Sequence, residues 1–244
     1  MSVSKIRDVI ESICDRLRTE LFEVEITELI ERGYSEPRLL DFLVKSAFVY
    51  GLFTLISAIR RSNMLIDDFK RSFDFLLFRH KRIGDIISNE LPRGSRILEI
   101  GCGRGLNSCE LALRGYEVYA VDVSERMLKI AKKLARRMGQ LIHFKLASGT
   151  ELTYEDNFFD AVIYVWTLHE MSLDDIKKSL AEAYRVLKRR GMIYIVDQEG
   201  VAPFDEIKSI AENLKLEKEY EGFLSPVYDH GRTSKAILIK YRKI

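Results

Sequence analysis

The stretch Arg96-Ile97-Leu98-Glu99-Ile100-Gly101-Cys102-Gly103-Arg104-Gly105 decides the fold of this chain. Its apolar residues, Ile97, Leu98 and Ile100, form a run that suits a buried strand and is too short for a helix. Three glycines follow at alternate positions, and behind them apolar residues recur with helical spacing up to Gly115. The pattern predicts a strand, a tight loop and a helix, in which bare backbone can approach a ligand closely.

The glycine spacing and one acidic residue indicate which ligand the loop binds. The dinucleotide fingerprint G-x-G-x-x-G needs its third small residue where this chain has Leu106, which counts against a nicotinamide cofactor. Glu99 puts a carboxylate at the end of the strand, beside the glycines. A carboxylate there would repel a pyrophosphate and would favour a ligand that carries an ammonium and a sulfonium group. We therefore expect S-adenosylmethionine as the cofactor.

The composition is that of a folded protein with balanced charge. Of the 244 residues, 47% are hydrophobic and 31% are charged, which is typical of globular domains. The net charge of +2 gives no electrostatic signature of a nucleic-acid partner. The three cysteines, Cys14, Cys102 and Cys109, show neither metal-ligand spacing nor a disulfide framework. With no secretory signal in the first residues, we expect a cytoplasmic protein without a metal site.

The chain divides into two parts. Residues 1–68 show helical periodicity and are predicted to form an N-terminal extension, whereas residues 69–244 form the cofactor-binding domain. The uninterrupted apolar segment 46–59 is shorter than the roughly 20 residues of a membrane-spanning helix, so no span is predicted. The extension is interpreted either as a cap that forms an apolar acceptor pocket or as the interface of a homodimer.

Strands and helices alternate beyond the glycine loop. Ser124 and Ser172 are placed to cap helices, the second of which should close with the basic residues 188–190 before Gly191. This alternation demands a mostly parallel sheet covered on both faces. The predicted strands after the first are Tyr116–Val123, Leu141–Leu146, Phe159–Val165, Met192–Val196 and an antiparallel pair, Leu216–Phe223 and Lys235–Tyr241.

The succession of motifs resembles the class I S-adenosylmethionine-dependent methyltransferases, especially the group that includes the ubiquinone and menaquinone C-methyltransferases. The stretch from Glu99 to Gly105 matches the first motif of the family in full, and Asp122 matches the acidic residue that binds the ribose hydroxyls. The segments 158–162 and 185–188 match later signatures. The resemblance implies an α/β, Rossmann-like, doubly wound, seven-stranded and mostly parallel sheet whose last strand is antiparallel.

The resemblance also implies a set of cofactor-binding residues. Where the family often has an Asp that binds the adenine amino group, this chain has Ser148, whose hydroxyl can still accept that hydrogen bond. Val123 and Met127 would then provide apolar walls for the adenine. The residues predicted to bind the cofactor are Glu99, Gly101, Cys102, Gly103, Gly105, Asp122, Val123, Met127, Ser148, Gly149 and Tyr164.

Methyl transfer is an in-line displacement at a carbon that the sulfonium already activates, so alignment and desolvation matter most. A general base is needed only when the acceptor must first lose a proton. His169, which follows the fourth strand, is the candidate catalytic residue, either as that base or as a structural hydrogen-bonding residue. Asp197, Gln198 and Glu199 follow the fifth strand, and we expect them to be solvated rather than to line the acceptor site.

The function predicted from the sequence is S-adenosylmethionine-dependent transfer of a methyl group to a small, partly apolar acceptor. Two alternatives stay open: a methyltransferase acting on tRNA or rRNA, and a non-catalytic protein that binds S-adenosylmethionine or RNA. The basic residues between Arg60 and Arg82 support these alternatives, and the balanced charge of the chain argues against them. A nucleotide-dependent oxidoreductase is disfavoured by Leu106 and Glu99.

Overall fold

The computed structural model describes residues 83–229 and 232–244, and the elements are numbered within that part of the chain. The helices are α1 (Ile83–Glu90), α2 (Leu106–Leu113), α3 (Glu125–Arg137), α4 (Leu173–Val186), α5 (Phe204–Asn213) and a 3₁₀ helix (Leu168–Glu170). The strands are β1 (Arg96–Ile100), β2 (Glu117–Asp122), β3 (His143–Leu146), β4 (Phe159–Val165), β5 (Leu187–Gln198), β6 (Leu216–Asp229) and β7 (Arg232–Lys243).

The described strands form one seven-stranded sheet in the order β3-β2-β1-β4-β5-β7-β6. Strands β1 to β5 are parallel, whereas β7 runs antiparallel to both β5 and β6. This arrangement confirms the Rossmann-like, doubly wound fold. The strand order reverses between β1 and β4, and ligands of such sheets bind at the carboxyl ends of the strands beside that point.

The pairing register brings the ends of three strands together. Ile100, at the end of β1, pairs with Val121 of β2 and with Tyr164 of β4. Gly101, which follows β1, therefore lies at the same edge of the sheet as Asp122 and Val165, which end β2 and β4. This edge is where the sequence places its candidate site residues.

The core lies on both faces of the central strands. Leu98 of β1 and Val162 of β4 have no solvent exposure, as does Leu180 of α4, which packs in the same cluster. Fully buried strands of this kind are expected in a parallel sheet that helices cover on both sides. The central strands therefore provide a rigid support for the loops at their carboxyl ends.

The predicted helix starts are confirmed. The Ser124 hydroxyl accepts a hydrogen bond from the Met127 N–H at 3.3 Å, and the Ser172 hydroxyl accepts one from the Asp175 N–H at 3.2 Å. Each cap satisfies one of the backbone donors that a helix leaves open at its first turn.

The start of β5 differs from the prediction. The basic residues 188–190 were expected to close α4, but β5 already begins at Leu187, which pairs with Phe159 of β4. The register shifts before Met192, which pairs with Ala161, and Arg190 takes a positive φ of 65° within this irregular segment. Strand pairing across the sheet thus overrides the local preference of basic residues for a helix end.

The other differences concern strand ends. The last two strands are longer than predicted, since β6 continues to Asp229 and β7 extends from Arg232 to Lys243. The predicted extension, the domain boundary at residues 68 and 69, and the cap or dimer interface lie outside the described residues. In the part of the chain that the structure describes, none of the helices has the length and apolar character needed to cross a bilayer.

Candidate active site

The glycine loop after β1 approaches its neighbours so closely that side chains would not fit at two positions. A Cβ on Gly101 would lie 2.3 Å from Cγ2 of Thr167, and one on Gly105 would lie 2.8 Å from Cβ of Ala131. Gly103 differs, because a Cβ there would meet no atom within 4 Å. Its φ of 52° lies in the region that favours glycine. The loop is therefore packed at both ends and open in the middle, as a ligand cradle should be.

Asp122 supports the open part of the loop. Its Oδ2 accepts a hydrogen bond from the Gly103 N–H at 2.7 Å, and its Oδ1 accepts one from the Ser124 N–H at 2.8 Å. The side chain is half-buried, and each carboxylate oxygen keeps a further lone pair for another donor. Asp122 thus points toward the glycine loop, with acceptor capacity left for the hydroxyl groups of a sugar.

Glu99 lies beneath the loop rather than on its surface. The side chain is buried, and its two oxygens accept hydrogen bonds from Asn107 at 3.0 Å and from the Ser108 hydroxyl. Burial raises the pKa of Glu99 to about 7, although the bonds from Ser108 and Asn107 oppose this effect. Glu99 therefore links β1 to the first turn of α2. Its charge would act on a ligand by long-range electrostatics and not by direct contact.

Cys102 is the loop residue between two of the glycines. Its side chain is buried, and burial together with the nearby Glu99 raises the pKa of the thiol well above its usual value. A thiol in this environment stays neutral and acts as a small apolar group. Cys102 can therefore contact a ligand through its backbone, but it does not provide a thiolate.

The residues predicted to hold the adenine lie at the ends of β2 and β3. Val123 follows Asp122 and is 75% exposed, and Met127 lies half-buried in the first turn of α3. The Ser148 hydroxyl pairs with the Thr150 hydroxyl at 2.7 Å and accepts the Thr150 N–H at 3.2 Å. Gly149 packs closely, since a Cβ there would lie 2.6 Å from Cγ2 of Ile100. These residues share the edge of the sheet with Asp122.

Tyr164 is placed differently from the other predicted residues. Its side chain has no solvent exposure, and its hydroxyl lies 2.9 Å from the Ser179 hydroxyl and donates to the Ser179 carbonyl at 3.0 Å. The ring therefore lies in the core between β4 and α4. Any contact of Tyr164 with a cofactor would have to come from its backbone.

The loop after β4 is fixed against the glycine loop. Trp166 has a φ of 56°, an unusual conformation for a bulky residue, while its N–H donates to the Val196 carbonyl at 2.9 Å. The turn carries Thr167 over β1, where its hydroxyl lies 3.3 Å from the Ile100 carbonyl. Strained backbone of this kind clusters at functional sites. The sequence does not reveal the Trp166 conformation, because tryptophan gives no turn signal.

His169 and Asp197 form a pair at the same edge. The Asp197 side chain has no solvent exposure, and its Oδ1 lies 2.7 Å from Nδ1 of His169. The expectation that Asp197 is solvated is therefore wrong, because the 3₁₀ helix covers the end of β5. A signal was available in the sequence, since Asp197 lies at the carboxyl end of an apolar run, as Asp122 does. Gln198 is half-buried, and Glu199 is exposed as expected.

The arrangement brings together a cradle of bare backbone, the Asp122 carboxylate that supports it, and the His169 imidazole that Asp197 holds at the same edge of the sheet. Within residues 83–229 and 232–244, no group of three or more His, Cys, Asp or Glu side chains is placed to hold a metal ion. The Asp122 carboxylate can accept hydrogen bonds from hydroxyl groups, and an imidazole such as that of His169 can accept or donate a proton.

Comparison with known proteins agrees with this geometry. Residues 98–195 match the family model described as a methyltransferase domain. A demethylmenaquinone methyltransferase from Tropheryma whipplei is 35% identical over 115 residues, which cover 46% of each chain. A ubiquinone/menaquinone biosynthesis C-methyltransferase from Rickettsia felis is 32% identical over 161 residues, 62% of this chain and 60% of that protein. The chain thus spans about half the length of the relatives it matches.

A solved structure shows the same fold. An S-adenosylmethionine-dependent methyltransferase from Methanosarcina mazei superimposes with a TM-score of 0.58 at 21% identity, covering 65% of this chain and 97% of that one. At this identity the likeness concerns the fold alone. Taken together, the family match over residues 98–195, the relatives and the sheet order support a class I S-adenosylmethionine-dependent methyltransferase domain in this part of the chain.

Proposed function

We propose that this protein transfers a methyl group from S-adenosylmethionine to a small, partly apolar acceptor. The observation that carries the proposal is the open position at Gly103, whose N–H is held by the Asp122 carboxylate at 2.7 Å. A site of this shape admits a ligand against bare backbone and supplies an acidic partner for its hydroxyls. The packed ends of the loop keep the cradle in place.

The residues at the crevice fit the cofactor that the domain class implies. Asp122 would accept hydrogen bonds from the ribose hydroxyls, the exposed Val123 and Met127 would contact the adenine, and Ser148 would accept from its amino group. The backbone of Gly101 and Gly103 would face the remainder of the ligand. When bound, S-adenosylmethionine supplies a methyl group on a positively charged sulfur. The chain's own part is to align that group with the acceptor and to exclude water.

Two observations favour a small acceptor over RNA. The relatives are named for demethylmenaquinone and for ubiquinone/menaquinone biosynthesis, which are small molecules. The net charge of +2 over 244 residues offers little of the electrostatic attraction on which nucleic-acid binding depends. The imidazole of His169, held by Asp197 at the sheet edge that also carries the glycine loop, is the candidate catalytic residue. The methyltransferase names of the relatives support an enzyme over a non-catalytic binding protein.

Calorimetry on the full chain tests the proposal. S-adenosylmethionine and S-adenosylhomocysteine should both bind, and Asp122→Ala should weaken binding by about 1–3 kcal/mol, or roughly 5- to 150-fold in Kd. Asp174→Ala is the matched control, because it removes the same charge from an exposed position at the start of α4. The proposal fails if neither ligand binds at millimolar concentration, or if both variants lose affinity equally.

We also propose a cytoplasmic location and a homodimer formed through the N-terminal extension. The described cysteines, Cys102 and Cys109, are free and buried, which suits a reducing compartment. Sedimentation of the full chain tests the assembly. A dimer supports the proposal, and a monomer at all concentrations contradicts it.

A further inference from the structure

An arginine on α4 holds an irregular loop of the described chain. Residues 147–158 join β3 to β4 and form neither helix nor strand, so the carbonyl groups of this loop need other hydrogen-bond partners. The Arg185 guanidinium donates to the Leu152 and Tyr154 carbonyls, each at 2.8 Å. It also donates to Oδ1 of Asp156 at 2.7 Å. One side chain of α4 therefore holds the loop at three residues.

Glu182 fixes the orientation of that guanidinium. Its Oε1 accepts from Nε of Arg185 and its Oε2 from Nη2, both at 2.8 Å, so the two side chains form a bidentate pair. Oε2 also accepts the Leu152 N–H at 2.8 Å. All five N–H groups of Arg185 are thus used. Leu152 is held through both its N–H and its carbonyl.

The other end of the same loop lies at the crevice beside the glycine loop. The Ala147 N–H donates to the Asp122 carbonyl at 3.2 Å, and the carboxylate of Asp122 accepts from Gly103 of the glycine loop. Gly149 packs against Ile100, the last residue of β1, so closely that a Cβ would lie 2.6 Å from Cγ2. The start of the irregular loop therefore contacts the ends of both β1 and β2.

A short hydrogen-bonded turn connects Ser148 to Leu152. The Glu151 N–H donates to the Ser148 carbonyl at 3.3 Å, and the Thr150 N–H donates to the Ser148 hydroxyl at 3.2 Å. The Leu152 side chain is 5% exposed and packs in the core. Leu152 is thus the fixed end of the turn, and the position of the Ser148 hydroxyl depends on it.

The turn also orients the Ser148 hydroxyl. One lone pair of its oxygen accepts the Thr150 N–H. When its proton is donated to the Thr150 hydroxyl, 2.7 Å away, the oxygen keeps a second lone pair for an amino group of a ligand. A hydroxyl held in this way rejects an oxo group, whereas a hydroxyl free to rotate can donate to one.

We propose that Glu182 and Arg185 are positioning residues that make the site select adenine: by holding Leu152, they fix the turn that presents the Ser148 hydroxyl to the amino group of the base. This inference rests on the proposed function, in which Ser148 accepts from that amino group. It assigns part of the cofactor specificity to two side chains of α4 that act through the loop.

Calorimetry of the full chain with two ligands tests the proposal. S-adenosylhomocysteine carries the amino group of adenine, and S-inosylhomocysteine carries an oxo group at the same ring position. The wild type should bind S-adenosylhomocysteine about 3- to 10-fold more tightly, which is the effect of one hydrogen bond. In Arg185→Lys the ratio of the two Kd values should fall toward one, because an ammonium group cannot reproduce the donors of a planar guanidinium.

Arg242→Lys is the matched control. The Arg242 side chain is 38% exposed, close to the 32% of Arg185, and it also pairs with a glutamate, Glu219. It belongs to β7, on the far side of the sheet from β3, so this variant should keep the wild-type ratio. A general loss of stability would weaken binding of both ligands in proportion. A changed ratio therefore reports the position of the turn.

Glu182→Gln is the second variant, for the case in which Arg185→Lys does not fold. It keeps an oxygen for the Leu152 N–H but weakens the bidentate pair, so it should also lower the ratio. Amide hydrogen exchange adds a measurement without ligand. The Leu152 N–H should exchange faster in both variants of the pair than in the wild type, and at the wild-type rate in Arg242→Lys.

Several results would overturn the inference. The wild type could bind both ligands equally, or both variants of the Glu182–Arg185 pair could keep the wild-type ratio. An equal fall of the ratio in Arg242→Lys, or unchanged exchange of the Leu152 N–H in the variants of the pair, would also overturn it. If the wild type binds neither ligand, the proposed function is refuted. Exchange at Leu152 would then still decide whether the pair holds the turn.

Discussion

Replacing the buried Glu99 by glutamine should make the chain's stability less dependent on pH. The pKa of about 7 lies about 2.5 pH units above the value of 4.5 for an unburied carboxyl, which corresponds to about 3 kcal/mol. Because the folded state holds the proton of Glu99 more tightly, the contribution of Glu99 to stability is fully present below about pH 4.5 and is lost as the pH rises through 7. Between about pH 5 and pH 8 the loss should be about 2–3 kcal/mol.

Glu99→Gln should avoid that loss and keep the local hydrogen bonds. The glutamine oxygen can accept from Asn107 and its amide can donate to the Ser108 hydroxyl, the two partners that Glu99 has in the wild type. Urea unfolding of both proteins, followed by circular dichroism at several pH values, gives the difference in free energy of unfolding. The variant should become more stable relative to the wild type as the pH rises.

The control is Glu125→Gln, the same chemical change at a side chain that is 69% exposed. This control shows how much of the effect comes from the loss of one negative charge at an exposed position. Two results would contradict this prediction. The difference in free energy of unfolding between Glu99→Gln and the wild type could stay constant from about pH 5 to pH 8, or the wild type could gain stability relative to the variant. Either result would show that burial of Glu99 does not govern its ionisation.

Three further tests probe the glycine loop, the core and a helix start. Gly103→Ala and its control Gly139→Ala both place a side chain at positive φ in open space. Each should lower the free energy of unfolding by about 1 kcal/mol. Only Gly103→Ala should also weaken binding of S-adenosylhomocysteine. Tyr164→Phe removes the buried hydroxyl that contacts Ser179, so it should cost about 1–3 kcal/mol of stability and leave cofactor affinity unchanged; lower affinity would contradict its placement in the core. Ser172→Ala should lower the free energy of unfolding by about 1 kcal/mol through loss of the cap, and an unchanged value would contradict that role.

The sequence predicted the parts of the fold that depend on local pattern. The strand, glycine loop and helix around Gly101 follow from an apolar run and spaced glycines, and the Ser124 cap follows from its place before an amphipathic helix. The early start of β5 could not be predicted in this way. It depends on the pairing of Leu187 with Phe159, a contact between distant parts of the chain.

The same distinction between local sequence pattern and contacts of distant residues applies to the site. The Asp122 carboxylate contacts the glycine loop, because the end of a strand beside a glycine loop is a defined place in this fold. Its role in binding the ribose hydroxyls stays a prediction. The burial of Asp197 depends on His169, 28 residues away in sequence. Tyr164 belongs to a strand covered on both faces, so its sequence does not reveal toward which layer its side chain points.

A crystal structure of the full chain with bound S-adenosylhomocysteine would show whether the Asp122 carboxylate and the Gly103 backbone bind the cofactor. We expect the pentose hydroxyls within hydrogen-bonding distance of the Asp122 carboxylate and ligand atoms packed against the bare backbone of Gly103. A ligand bound elsewhere, a crevice filled by the protein's own side chains, or an Asp122 side chain turned away from the sugar would contradict it.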